Sequence, residues 1–163
     1  MSIKLTGLND LKQSLSDLDA DLENILESAL IEAGGCIQQS AVDHIRSNGS
    51  VDTGNMMSAA NLRVERAPDD NGKMVVNVVA DATATNGAPY PVYIEYGTGL
   101  YAEGGNGRKT PWTWKGAGGK YSGFHRTYGM PAKPFMRPAF NENRQEAVDI
   151  VKEYVSDALE ARR

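Results

Sequence analysis

The first long stretch of the chain has the apolar spacing of an amphipathic helix. Between residues 8 and 46, leucine, isoleucine and alanine recur at steps of three and four, which places them on one helix face. We expect a break near residues 16–19, with Asp19 or Asp21 capping a second helix. The polar run at residues 47–50 should end the helical region.

A second amphipathic pattern occupies the C-terminal part of the sequence. It begins at Pro138, a residue type favoured in the first turn of a helix, and continues through Phe140, Val151 and Leu159. Acidic residues early in this stretch and arginines at its end match the preference of the helix dipole. Both patterns predict helices whose apolar stripes must be buried.

The region between the two helical patterns alternates in the manner of strands. Residues 62–67 and 73–80 flank the turn formers of residues 68–72, which predicts a β-hairpin. Residues 92–96 predict a third strand, and residues 3–6 a short strand near the N-terminus. Together these elements predict an α+β fold, with a long N-terminal helix and a C-terminal helix packed on a small antiparallel sheet.

Glycines interrupt the periodicity after the third predicted strand. Ten of the 17 glycines lie between residues 97 and 131, which predicts a long, mobile loop at residues 97–133. We expect residues 1–163 to form a single domain carrying this loop. The pair Gly34-Gly35 inside the first helical pattern indicates a close crossing of another backbone.

Charge is distributed unevenly along a chain whose net charge is −4. Residues 104–137 contain seven lysines and arginines and no acidic residue, which leaves a charge of −11 on the rest. A basic segment in an acidic protein indicates an acidic partner surface, nucleic-acid phosphates or the acidic part of a neighbouring copy.

The same segment interleaves its cations with aromatic side chains. Such a mixture suits stacking on nucleic-acid bases, and it equally suits a protein interface, where Trp, Tyr and Arg are common anchors. We favour the protein interface because the chain is acidic overall and contains no nucleic-acid-binding motif. The candidate interaction residues are Arg108, Lys109, Trp112, Trp114, Lys115, Lys120, Tyr121, Phe124 and Arg126.

Candidate catalytic residues are few. Asp52-Thr53-Gly54 has the sequence of an aspartic-protease loop, but a protease would need a second copy to supply the second carboxylate. We interpret the tripeptide as a structural turn. Cys36, His44 and His125 do not have the spacing of a metal site, and the glycines do not form a phosphate-binding loop. We therefore expect no catalytic, metal or cofactor site.

Nothing near the N-terminus has the apolar run of a signal peptide, and no stretch approaches the length of a membrane span. We therefore expect the protein to be made in the cytoplasm of the producing cell.

Three segments, taken in order, resemble a known family. They are residues 51–58 (VDTGNMMS), 93–98 (YIEYGT) and 133–140 (KPFMRPAF). In order and spacing they are similar to the head–tail joining proteins typified by phage Hong Kong 97, also described as tail-completion proteins and akin to the lambdoid minor tail protein Z. The chain differs from that pattern mildly at Met56 and Tyr96, and Met57 stands where many members carry arginine.

The resemblance implies a non-enzymatic virion component of a phage or prophage, located at the neck between head and tail. It implies self-association, often as a hexameric ring, with connector or adaptor proteins and tail terminator or tube proteins as partners and with possible contact to DNA. The motif residues would be structural. They are Asp52, Thr53, Gly54, Asn55, Glu95, Gly97, Thr98, Lys133, Pro134, Phe135, Arg137 and Pro138.

Overall fold

The structure, a computed structural model, has the expected α+β class. It describes residues 8–70, 73–84, 87–116 and 122–161. The predicted strand at residues 3–6 and the candidate residues Lys120 and Tyr121 lie outside these ranges.

One uninterrupted helix, α1, spans Leu8–Ser47. The predicted break near residues 16–19 is therefore wrong, because the acidic residues there continue the helix. The helix ends as predicted. Gly49 adopts a left-handed φ of 69°, and the Ser50 amide donates back to the carbonyl of Ile45 at 3.1 Å, an arrangement typical of glycine-terminated helices.

The predicted first hairpin is confirmed. Strands β1 (Leu62–Asp70) and β2 (Lys73–Ala80) pair antiparallel, with Leu62 opposite Ala80. Both strands pack on α1. A Cβ added at Gly34 would lie 2.7 Å from Cγ1 of Val64, so this glycine admits a strand side chain rather than the expected backbone.

The third predicted strand is a helix. Residues Pro91–Tyr96 form α2, with proline in the first turn. The buried residues are Pro91 and Glu95, four positions apart, which is the spacing of a helix face rather than of a strand. The β-branched and aromatic residues between them misled the sequence interpretation because only burial decides the period of so short a run.

The predicted loop at residues 97–133 contains regular structure, which corrects that expectation. Two short 3-10 turns, Gly99–Tyr101 and Glu103–Gly105, precede a second hairpin formed by β3 (Trp112–Gly116) and β4 (Gly123–Thr127). The described residues thus form two separate two-stranded sheets instead of one. Glycines are frequent in this part of the sequence, which hid the periodicity of its elements.

The last helix, α3, spans Met136–Glu160, two residues earlier than predicted, and packs along α1. The core lies between the two helices, the first hairpin and the chain that leads into α2. Its largest fully buried side chains are Phe135, Ile45 and Leu62. None of the described helices combines the length and the apolar composition that a bilayer crossing requires.

Candidate functional site

The second and third sequence motifs meet at the buried carboxylate of Glu95. This side chain is only 4% exposed. Its oxygens accept hydrogen bonds from the backbone amides of Phe135, Met136 and Arg137 at 2.8, 2.9 and 3.1 Å. The first amides of a helix have no partner within the helix, and a negative charge is favoured there. Glu95 therefore caps α3 from a segment 40 residues away.

Arg137 closes this arrangement from the solvent side. Its Nε donates to the Glu95 carboxylate at 2.9 Å, and one Nη donates to the Glu95 carbonyl at 3.1 Å. Both Nη atoms donate to the carboxylate of Glu103 at 2.8 Å. The guanidinium also lies 4.8 Å from the ring centroid of Tyr96. One side chain thus joins the start of α3, the end of α2 and the second 3-10 turn.

The ionisation of these groups follows from their contacts. Burial alone would raise the pKa of Glu95, but the three amides and the Arg137 guanidinium outweigh it, and the net shift is downward. Hydrogen bonds from Arg137 lower the pKa of Glu103, while Glu103 and then Glu95 raise the pKa of Arg137. The network is therefore charged at neutral pH.

The sequence interpretation did not identify Glu103 as a site residue, although the sequence contains a signal for it. It is the last acidic residue before the segment that contains none. Only the fold brings it to Arg137, 34 positions further along the chain.

The first motif forms a turn on the protein surface, as interpreted from the sequence. Gly54 has a left-handed φ of 78°, and the Thr53 hydroxyl accepts a hydrogen bond from the Asn55 amide at 3.3 Å. The Asn55 side chain in turn donates to the hydroxyl of Tyr90 at 3.0 Å, the residue that precedes α2. The first motif is thereby tied to the residue that leads into α2, the helix that carries most of the second motif.

The turn borders an open groove of about 860 Å³. Asp52 is exposed on its rim, and among the described lining residues it is the one carboxylate. A paired-carboxylate site would thus need an acid from outside the described lining of this groove. In the part of the chain that the structure describes, no group of three His, Cys, Asp or Glu is arranged to hold a metal ion.

The start of the third motif is tied to both α1 and α2. The Lys133 amide donates to the carbonyl of Ile94 at 2.8 Å, and the Asn48 side chain, at the end of α1, donates to the Lys133 carbonyl at 3.2 Å. Pro134 is exposed, whereas Phe135 is 1% exposed within the core. Pro138 lies in the first turn of α3.

Gly97 and Thr98 anchor the base of the second hairpin. A Cβ at Gly97 would lie 2.8 Å from backbone atoms of three other residues, so no side chain fits. Thr98 donates its amide to the Met130 carbonyl at 2.8 Å, and its hydroxyl accepts from the Met130 amide at 3.0 Å. The chain leaving α2 is therefore bonded to the chain returning from β4.

Most of the candidate interaction residues belong to the second hairpin or to the segment that leads into it. Arg108 and Lys109 precede the hairpin and are exposed, and the Arg108 guanidinium lies 5.7 Å from the ring centroid of Trp112. The rings of Trp114 and His125, which are opposite each other in the register, stack at 4.7 Å.

The register separates the hairpin into two faces. Trp112, Trp114 and His125 lie on one face. The opposite face carries Thr113, Lys115, Phe124 and Arg126, all of them exposed, and Phe124 is 77% exposed. We call this opposite face the basic hairpin face.

Comparison of the chain with protein-family models, with curated proteins and with solved structures finds no match.

Proposed function

We propose that this protein is a structural, non-enzymatic component of a phage or prophage particle that joins the DNA-filled head to the tail. The proposal rests on the ordered trio of motifs in the sequence. The observation that supports it best is that the second and third motifs meet at the carboxylate of Glu95. Each motif contacts another element of the fold, as expected of residues with a structural role.

The architecture also suits an assembly protein. The ties between Thr98 and Met130 bond the chain that enters the second hairpin to the chain that leaves it, while the basic hairpin face is exposed. A large exposed aromatic beside cations is typical of an interface anchor. The hairpin would contact a neighbouring subunit or a neck protein on the connector or tail-terminator side.

The test is electron microscopy of lysates from a phage or induced prophage that lacks the gene. We expect separate filled heads and finished tails, which join when the purified protein is added. Normal joined particles without the gene would overturn the proposal.

Charge-reversal variants make the add-back experiment sharper. The double variant K115E/R126E should fail to restore joining, because it inverts the charge of the basic hairpin face. The matched control R144E/K152E makes the same charge change at exposed positions of α3 and should restore joining.

A second candidate function is nucleic-acid binding through the same face. The exposed Phe124 between Lys115 and Arg126 has the composition of a base-stacking surface. This function predicts DNA binding whose affinity falls steeply as salt concentration rises. A gel-shift titration of the wild type and of K115E/R126E at two salt concentrations decides between the two functions.

A further inference from the structure

A hydrogen bond and close packing hold together the base of the second hairpin, which carries the basic hairpin face. The amide of Leu100 donates to the carbonyl of Tyr128 at 2.7 Å, and a Cβ at Gly99 would lie 2.8 Å from the ring of Trp112. The chain entering β3 and the chain leaving β4 are thus fixed together. Since residues 104–137 contain no acidic side chain, the exposed Lys115 and Arg126 are not neutralised by neighbours in sequence.

A groove between α1 and α3 has the complementary chemistry. It has a volume of about 670 Å³ and a weakly polar floor that includes Gly35, Cys36 and Ile150. Its carboxylates come from both helices, and they are Glu32, Asp43 and Glu146. We call this the acidic groove.

The contacts within the acidic groove reflect the negative charge of its lining. Glu32 accepts a short hydrogen bond from the neutral hydroxyl of Tyr154. Burial, followed by the charge and hydrogen bonding of Glu146, raises the pKa of the Cys36 thiol, as expected in a region of negative potential. Asp43 is partly offset by Arg46 at 3.3 Å.

The dimensions of the two surfaces match. Glu32 and Asp43 are eleven positions apart on α1, which is about 16 Å at the rise of a helix. The first and last residues of β3, and likewise those of β4, are four positions apart, which is about 14 Å of extended chain. Each surface has a less polar centre beside charged side chains. These side chains are cationic on the hairpin and anionic in the groove.

The groove is not filled by the hairpin of its own chain. Within the described residues, α1 makes its extensive contacts with α3, β1 and β2, while β3 and β4 make theirs with each other. Among the described residues, the strands of the hairpin are therefore not the occupant of the groove, which leaves the groove open to another molecule.

We propose that the basic hairpin face of one copy docks into the acidic groove of a second copy, with Phe124 over the floor near Cys36. Charge complementarity selects a second copy, because this chain carries both the basic segment and the acidic groove. The two surfaces differ, so the contact is head-to-tail and generates a closed ring or an open chain of subunits. This inference deepens the proposed function by naming the contact between subunits.

The single native cysteine provides a direct test in purified full-length protein. In F124C, an oxidant such as copper phenanthroline should join Cys36 of one copy to the introduced cysteine of the next by a disulfide, each thiol losing its proton and one electron to the oxidant. A ladder of multimers is expected on a non-reducing gel. It should collapse in C36S/F124C to at most a dimer, because each copy then has one thiol.

A position control and a charge exchange complete the experiment. S156C, exposed on α3, should cross-link far less than F124C. K115E/R126E should weaken self-association by at least about tenfold in sedimentation velocity, since like charges would face each other. Mixing it with E32K/E146K, which exchanges the charges of the groove, should restore association between the two variants.

The inference is overturned if F124C forms no multimers through Cys36, or if the charge-exchanged pair fails to associate while wild type does. Either result leaves the add-back experiment untouched, because head–tail joining through another partner would still be restored by the wild-type protein. Failure of add-back with a positive ladder would instead count against the joining function alone.

Discussion

Glu95 accepts hydrogen bonds from both the backbone amide and the side-chain Nε of Arg137, at 3.1 and 2.9 Å. The same carboxylate also receives the amides of Phe135 and Met136. The buried carboxylate of Glu95 thus accepts hydrogen bonds from the free amides at the start of α3 and from the side chain of Arg137, which covers it.

Replacing this acid should be costly. In E95Q the side-chain amide keeps a similar shape but loses the negative charge. Its NH2 group is a hydrogen-bond donor, and it would face the backbone amides and the Arg137 guanidinium, which are donors as well. We expect a loss of about 3 kcal/mol in the free energy of unfolding, typical of breaking a buried charged pair. This corresponds to a fall in Tm of about 6–12 °C for a chain of this size.

Urea denaturation followed by circular dichroism measures the loss. E103Q is the matched control, because it removes the exposed carboxylate that bonds to the same arginine. It should lower the free energy of unfolding much less than E95Q does. Equal effects of the two variants would show that Glu95 does not act as the cap of α3.

Acidification should remove the contribution of Glu95 selectively. Its pKa is lower in the folded protein than the ordinary value of 4.5, so the folded state binds the proton less tightly than the unfolded state. The stabilisation is complete above that ordinary value and is lost as pH falls through the lowered pKa. Wild type and E95Q should therefore differ most near neutral pH and converge in acid.

The measurement is the free energy of unfolding of both proteins at a series of pH values from 7 downward. Other carboxylates titrate in both proteins and cancel in the difference. A difference that stays constant through the acidic range would contradict the assignment.

The two adjacent glycines of α1 should respond in opposite directions. A Cβ at Gly34 would clash with Val64, whereas a Cβ at Gly35 would meet open space among the described residues. G35A should stabilise the protein by about 1 kcal/mol through helix propensity. G34A should destabilise it by about 1–2 kcal/mol, because overpacking exceeds that gain.

A thermodynamic cycle with V64A isolates the clash. In the V64A background, G34A should lose its penalty, since the methyl groups it meets are gone. If G34A is as stabilising as G35A in the wild-type background, the packing of β1 on α1 differs from that described.

The base of the second hairpin should be intolerant of a side chain at Gly129. Its φ is 121°, and a Cβ there would lie 2.0 Å from the Thr98 carbonyl. G129A should therefore separate the two chains at the base and expose Trp112. The control G87A has a similar left-handed φ of 79° but meets open space, so it pays only the backbone cost of about 1–2 kcal/mol.

Tryptophan fluorescence in a W114F background reports the environment of Trp112. A red shift is expected in G129A and none in G87A. Identical spectra for the two variants would mean that the contacts at Thr98 do not hold the hairpin.

Much of the candidate site could be predicted from the amino-acid sequence. The motif residues were identified, the turn at Gly54 was predicted, and the basic, aromatic character of residues 104–137 followed from composition. The convergence on Glu95 was not predicted, because the amides it caps are identical in sequence to any others. Only their position at the start of α3 makes them unsatisfied.

Periodicity along the chain was sufficient to predict the two helical regions and the first hairpin, because it is repeated often enough to define a buried face. It did not predict that α1 continues without a break through residues 16–19. Tertiary structure decided the conformation of Pro91–Tyr96, where a single turn must bury Pro91 and Glu95 together. It also decided the second hairpin and its two faces. The physical reason is the separation along the chain of the groups that interact. Periodicity indicates only which residues three or four positions apart share a face, whereas the cap on α3 joins groups 40 residues apart.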